Sequence, residues 1–307
     1  MKIIFAGTPE FALPSLQSLI HSEHKVIAVY TQPDRPAGRG RKLTASPVKQ
    51  IALQYHIPIH QPISLKDPEV QETLIKLNAE VMIVVAYGLL IPKTIIDHFK
   101  QRCINIHPSL LPRWRGASPI QAPILAGDKE TGTTIIEITK GLDSGPIYKQ
   151  ISCPITPQDT FGSLHDKLAN ISAKALLEVL TNIESIKPIE QDENLSTYAN
   201  KITKEQTKID WNQSANQIER TVRAFNPAPG AFCEFQQQPL KIWQAKSYHQ
   251  MTNEKPGTII TVNKESIVIA TGKGTLELLQ CQLPGAKPIS ARDFINAHQN
   301  LLKQVLQ

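Results

Sequence analysis

Residues 81–86, Val81-Met82-Ile83-Val84-Val85-Ala86, form an unbroken apolar run, and Cys103-Ile104-Asn105-Ile106 makes a second one that stops at His107-Pro108. A run without polar alternation is what a central strand needs when helices cover both faces of its sheet. Working outward, Lys2 to Gly7 and Lys25 to Tyr30 are two more short β-branched runs, while Ser46 to His56 and Pro68 to Leu77 have helical length and period. Strands alternating with helices specify an α/β unit with a parallel, Rossmann-like sheet. At 307 residues the chain exceeds what one core usually supports, so a second domain is expected. A helical period over Thr160 to Glu184 closes the first unit, and the polar, aperiodic stretch from Lys187 to Gln206 reads as a linker. A helix over Ser214 to Phe225 then precedes five β-like runs: Gly230 to Phe235, Leu240 to Tyr248, Gly257 to Val262, Ser266 to Thr271 and Thr275 to Cys281. Such a series predicts a small β-barrel of OB-like type. The expected division is 1–189, a linker at 190–207, and 208–307.

Composition narrows the function classes. With 41% hydrophobic and 20% charged residues the chain is neither disordered nor a membrane protein, and its longest apolar run, Val81 to Ile91, is too short to span a bilayer. The N-terminal sequence lacks the features of a signal peptide, so a cytoplasmic location is expected. Cys103, Cys153, Cys233 and Cys281 are scattered without a CxxC pair, against a disulfide framework or a thiolate zinc site. The net charge of +6 is modest, but residues 208–307 carry 11 basic and 7 acidic side chains, so much of the excess lies in the C-terminal third.

The residues suited to chemistry gather around Asn105. Asn105 and His107 are two apart, so on a strand they share a side, at the carboxyl edge where open α/β sheets bind ligands. Asp143, in Gly141-Leu142-Asp143-Ser144-Gly145, sits in a separate loop that can return to that edge. An amide donor, an imidazole and a carboxylate make an acyl-transfer site. Taken singly, each residue has an ordinary structural use as cap, buried polar group or turn. Gly7-Thr8-Pro9 follows the first strand without GxGxxG, against a dinucleotide cofactor, and no HxH or HExxH supports a metal.

These motifs resemble a known family. Asn105-x-His107-x-Ser109-Leu110-Leu111-Pro112 with Arg115-Gly116 after it, and Gly141-Leu142-Asp143-x-Gly145 downstream, resemble the formyltransferases that use 10-formyltetrahydrofolate. Residues 5–12 (FAGTPEFA), 31–40 (TQPDRPAGRG) and 86–88 (AYG), with Lys208-Ile209-Asp210-Trp211 and Arg223-Ala224-Phe225-Asn226-Pro227, carry the likeness over nearly the whole chain and into the branch whose acceptor is initiator methionyl-tRNA. The resemblance implies catalysis by Asn105, His107 and Asp143. It also implies a folate site at Ser109, Leu110, Leu111, Pro112, Tyr87 and Gly88, and a tRNA-contacting loop bearing Arg35, Arg39, Arg41 and Lys42. It further implies no metal and a monomer. One departure is Ala228, where many relatives place tryptophan between the two prolines.

The implied reaction moves a formyl group to the α-amine of methionine on initiator tRNA. A formyl-folate hydrolase and a formyltransferase acting on an amino-sugar nucleotide would keep the same trio. The hydrolase has no use for the basic loop or the basic C-terminal domain, whereas the amino-sugar enzyme predicts that the loop binds a small anion. A non-catalytic nucleic-acid-binding protein would leave the trio unassigned.

Overall fold

A computed structural model describes residues 1–37, 40, 42–100 and 102–307. The chain forms two units. The first comprises Met1–Pro119, Glu130–Pro154 and His165–Ala199, and the second Ile120–Lys129, Ile155–Leu164 and Asn200–Gln307.

The strands of the first unit are β1 (Lys2–Gly7), β2 (Lys25–Tyr30), β3 (Arg35–Ala37), β4 (Lys42–Thr44), β5 (Ile59–His60), β6 (Val81–Val85), β7 (Cys103–His107), β8 (Arg115–Gly116), β9 (Glu130–Glu137), β10 (Ile147–Pro154) and β11 (Tyr198–Ala199). Its helices in the first half are α1 (Leu13–Ile20), α2 (Pro47–Gln54), α3 (Pro68–Lys76) and α4 (Lys93–Phe99). The main sheet runs β10-β9-β7-β6-β1-β2-β5, parallel from β7 to β5. The apolar run at 81–85 is buried at every position, as a central strand must be. Local signals act where they occur in the sequence: Ser46 caps α2 by accepting from Lys49 N (3.0 Å) and Asp67 caps α3 by accepting from Glu69 N (3.0 Å), each with proline at the next position.

Two features were not read from the sequence. β9 and β10 add to the sheet antiparallel, with Ile104 opposite Glu137 and His107 opposite Thr134. The unit boundaries also differ from 189 and 208. Residues 190–199 belong to the first unit, because β11 pairs with β8 and Gln191 is buried beside it. Residues 120–129 and 155–164 belong to the second. There α5 (Gln121–Ala126) packs on α7 (Ala215–Ala224), with Gln217 Nε2 donating to Leu125 O (3.1 Å), and Arg223 Nη1 donates to Asp159 O (3.0 Å).

The second unit holds the five strands expected there, β12 (Ala231–Phe235), β13 (Gln238–Tyr248), β14 (Ile259–Val262), β15 (Ile267–Ala270) and β16 (Thr275–Gln282), plus β17 (Ile289–Ser290). The sheet is antiparallel, ordered β12-β13-β16-β15-β14 with β17 on β16. Its edges are linked through the chain's last residues: Glu234 and Gln307 exchange backbone hydrogen bonds (2.6 and 3.1 Å), Ile259 N donates to Gln304 O (2.8 Å) and Leu306 N to Gly257 O (2.9 Å). These bonds cover edge groups that would otherwise be open to another strand. Ala228 is exposed in the turn before β12, so its small side chain takes nothing from the core. Among the described residues no helix is long and apolar enough to cross a membrane.

Candidate active site

β7 ends at His107, and the chain folds back on itself through residues 108–116. Asn105 and His107 lie on the same side of β7, as their spacing requires. The His107 ring is buried, and its Nε2 lies 2.8 Å from the Trp114 carbonyl oxygen. A carbonyl accepts only, so Nε2 carries a hydrogen and Nδ1 is the ring atom turned toward the site. That atom lies 3.6 Å from Asp143 Oδ2.

Asp143 is the point of convergence. Its Oδ1 accepts from Asn105 Nδ2 (3.3 Å) and its Oδ2 from the Gly116 backbone N–H (2.9 Å), on the same oxygen that faces His107. Because β9 runs antiparallel to β7, the loop at 138–146 leaves the sheet beside Ile104, where Ile138 N donates to Cys103 O (2.7 Å). It must therefore double back to bring Asp143 to Asn105 and His107. Asp143 holds φ at +48°, a left-handed conformation that aspartate tolerates better than most residues. One hydrogen of the Asn105 amide remains without a partner among the described residues. The site thus presents an unused amide donor, a ring nitrogen and a carboxylate within one small volume.

Residues 1–180 match the formyl transferase family, and residues 201–299 match the formyl transferase C-terminal domain. The methionyl-tRNA formyltransferase of Hydrogenovibrio crunogenus is 52% identical over 97% of this chain and 96% of its own length. That of Coxiella burnetii is 53% identical over 98% of this chain and 97% of its own. The chain belongs to the methionyl-tRNA formyltransferase family. Solved structures share the fold at lower identity. An N-formyltransferase from Helicobacter canadensis, solved with folinic acid and dTDP-3-aminofucose, has a TM-score of 0.69 at 20% identity, covering 91% of this chain and 98% of that one. HypX from Aquifex aeolicus, solved with tetrahydrofolic acid, has a TM-score of 0.64 at 17% identity, covering 99% and 48%.

The stretch from Ser109 to Pro112, expected at the folate site, is tied to the added strands rather than to the parallel sheet. Thr134 Oγ1 on β9 donates to Ser109 O (2.6 Å) and accepts from Leu111 N (3.2 Å) and from Gln150 Nε2 (3.1 Å). Gln150 also donates to Leu111 O (2.5 Å), and Ser109 Oγ donates to Arg113 O (2.7 Å). Ser109 and Leu111 are buried, whereas Leu110 and Pro112 are half-buried. Nothing in the sequence singles out Thr134 or Gln150. Thr134→Val keeps the shape and strands buried Ser109 O and Leu111 N; a loss of about 1–3 kcal/mol is expected in chemical denaturation. Tyr87, placed by sequence at the folate site, turns its ring into the core, and burial pushes its hydroxyl pKa up. Its carbonyl accepts from Thr8 Oγ1 (3.0 Å) and Gln32 Nε2 (3.1 Å), and the following Gly88 is exposed at φ +80°. What this position exposes is the backbone at Gly88 rather than the tyrosine ring.

Within the basic stretch, β3 and β4 pair antiparallel, with Arg35 opposite Thr44 and Ala37 opposite Lys42. Arg35 and Lys42 are exposed, with Arg35 Nη2 donating to Gln32 Oε1 (2.5 Å). Arg39 and Arg41 lie outside the described residues. In the second unit Lys208 and Arg292 pair with Glu234 (2.7 Å) and Glu265 (3.3 Å), and Lys303 pairs with Glu254. Lys255, Lys264, Lys273 and Lys287 have no ion-pair partner among the described residues. β13 carries Trp243 and Tyr248, each with a lysine ammonium over its ring, Lys241 at 5.4 Å and Lys246 at 5.2 Å from the centroid. Neither lysine–aromatic contact is signalled by the sequence alone.

Proposed function

We propose that Asn105, His107 and Asp143 carry the transfer of the formyl group of 10-formyltetrahydrofolate to the α-amino group of methionine on initiator tRNA. The observation that supports this most is the Asp143 carboxylate, facing Asn105 Nδ2 and His107 Nδ1 while the Gly116 N–H holds one of its oxygens. The formylated folate supplies an activated one-carbon group, so the protein's task is orientation, charge stabilisation and proton transfer.

An α-amine has a reference pKa of about 7.7–8.0, and the proton it loses must be taken up as it attacks. His107 Nδ1 faces the site, with Nε2–H anchored on Trp114 O, and is the acceptor for that proton; Asp143 stabilises the resulting imidazolium. The free hydrogen of Asn105 meets the formyl oxygen, which becomes negative as the new C–N bond forms. When the bond to the folate nitrogen breaks, the same proton passes from the His107–Asp143 pair to that nitrogen. Bonds and protons balance without a further reactant.

The donor set fits the cosubstrate: an unpartnered amide hydrogen for the formyl oxygen, exposed backbone at Gly88, and the half-buried Leu110 and Pro112 for a flat apolar ring. The trio and its supports belong to one unit of one chain, so the proposed reaction calls on no second copy. The test is incubation with formylated folate and charged initiator tRNA, followed by recovery of acid-stable formyl-methionine. Formate release without transfer would instead indicate a hydrolase.

The stretch bearing Arg35, Arg39, Arg41 and Lys42 is the proposed contact with the acceptor end of the tRNA. Arginine suits phosphate and base edges through its planar fork of donors. Arg39→Ala is expected to lower use of charged tRNA about tenfold and leave folate binding unchanged. An equal loss with a free methionyl ester lacking tRNA would reject this contact.

A further inference from the structure

Gln191 is a buried amide whose four hydrogen-bonding positions are all used, in two directions. Both hydrogens of Nε2 go to carbonyls of the loop bearing Asp143, namely Asp143 O and Gly145 O, each at 2.8 Å. Both lone pairs of Oε1 are taken by one guanidinium, from Arg115 Nε (3.1 Å) and Nη2 (2.8 Å). Arg115 is 1% exposed, and its outer edge forms a bidentate pair with Glu193, Nη1 to Oε2 at 2.8 Å and Nη2 to Oε1 at 2.7 Å. That pairing holds the Glu193 carboxyl below its ordinary pKa and the guanidinium above its own.

The arrangement closes on the site. Arg115 lies on β8, and its neighbour Gly116 is the residue whose N–H holds the Asp143 carboxylate. β8 is in turn held by β11, through Arg115 N to Thr197 O (2.9 Å) and Ala117 N to Ala199 O (2.8 Å). One dipeptide therefore grips Asp143 twice, by its backbone through Gln191 and by its side chain through Gly116. The φ of +48° at Asp143 is a left-handed conformation, uncommon for a residue with a side chain, that these contacts hold in place.

We propose that Gln191, fixed by the Arg115–Glu193 pair, is a positioning residue that clamps the backbone of the Asp143 loop so that the carboxylate stays aimed at Asn105 and His107. Only an amide can do this, because the position requires an acceptor toward Arg115 and two donors toward the loop. The inference rests on the reading of Asp143 as a catalytic residue.

Gln191→Glu tests it. A carboxylate still accepts both Arg115 hydrogens and has none to give to Asp143 O and Gly145 O, so a residue that served only to anchor Arg115 would tolerate the change. The expected result is a kcat about 10- to 100-fold lower, with KM for formylated folate and for charged tRNA each within about threefold of wild type. Asp143→Asn, measured in parallel, is expected to lose rate as well. Adding Gln191→Glu to it should then cost less than about twofold more, because Gln191 acts through Asp143. Wild-type kcat in Gln191→Glu, a loss confined to KM, or full multiplication of the two losses would overturn the clamp. Wild-type kcat in Asp143→Asn would overturn the catalytic reading of Asp143 instead. Should Gln191→Glu not fold, Glu193→Ala removes only the largely exposed end of the chain of contacts. It is expected to lower kcat about threefold with KM unchanged, and an unchanged kcat there would overturn the clamp equally.

Discussion

Replacing Asn105, His107 or Asp143 by alanine is expected to lower the rate of formyl transfer by at least about 10²-fold in each case, the scale of a lost oxyanion donor or general acid–base group. The fold should survive. Asn105 is half-buried and β7 is held by its backbone ladder to β6 and β9, so truncation leaves the register intact. His107→Ala leaves the Trp114 carbonyl without its donor and Asp143→Ala frees the Gly116 N–H, each a loss of about 1 kcal/mol. Circular dichroism and thermal unfolding would confirm that the rate loss exceeds the stability loss. The losses should be far from additive, because in the proposed reaction His107 and Asp143 handle one proton and Asn105 the oxygen beside it. A His107→Ala/Asp143→Ala enzyme that lost the full product of the single effects would show two independent roles and remove the shared-proton mechanism.

Affinity for tRNA is expected to fall steeply with salt, with the second unit supplying much of the slope. Each phosphate neutralised contributes about 0.7 log units of affinity per log unit of salt for a single strand. If Lys255, Lys264, Lys273 and Lys287, which have no ion-pair partner among the described residues, each meet one phosphate, their share is about 50-fold between 50 and 200 mM salt. Changing all four to alanine in the full chain should lower the slope by nearly 3 and leave formylated-folate binding unchanged. An unchanged slope would mean that these lysines only solvate the sheet. The full chain is the right molecule for this test, because residues 120–129 and 155–164 complete the second unit from within the first part of the sequence, and truncation near Gln206 would separate α7 from α5.

Much of this architecture follows from short-range patterns. The apolar run at 81–85 has the pattern of a strand buried on both faces, and Ser46-Pro47 and Asp67-Pro68 carry their helix starts in their own side chains. Asn105 and His107 share a side because a strand repeats every two residues, which needs no tertiary information. The five runs after residue 230 became five strands for the same reason.

What spacing cannot carry is the pairing of distant segments. The two unit boundaries were set by packing rather than by composition: the polar stretch after residue 189 looks like a linker, yet Gln191 is buried because Arg115 and two loop carbonyls satisfy every polar group of its amide. Tyr87 resembles a ligand contact in its motif, and its ring lies in the core. The sequence by itself determined the parallel sheet, the antiparallel second unit and the chemical identity of the trio, since these depend on periodicity and residue type. Only the tertiary structure decided that β9 runs antiparallel beside β7, that the loop after it doubles back, and that Arg115 and Gln191 hold Asp143 there. Each of those depends on hydrogen bonds between residues 27 to 76 positions apart, whose closure no local preference encodes.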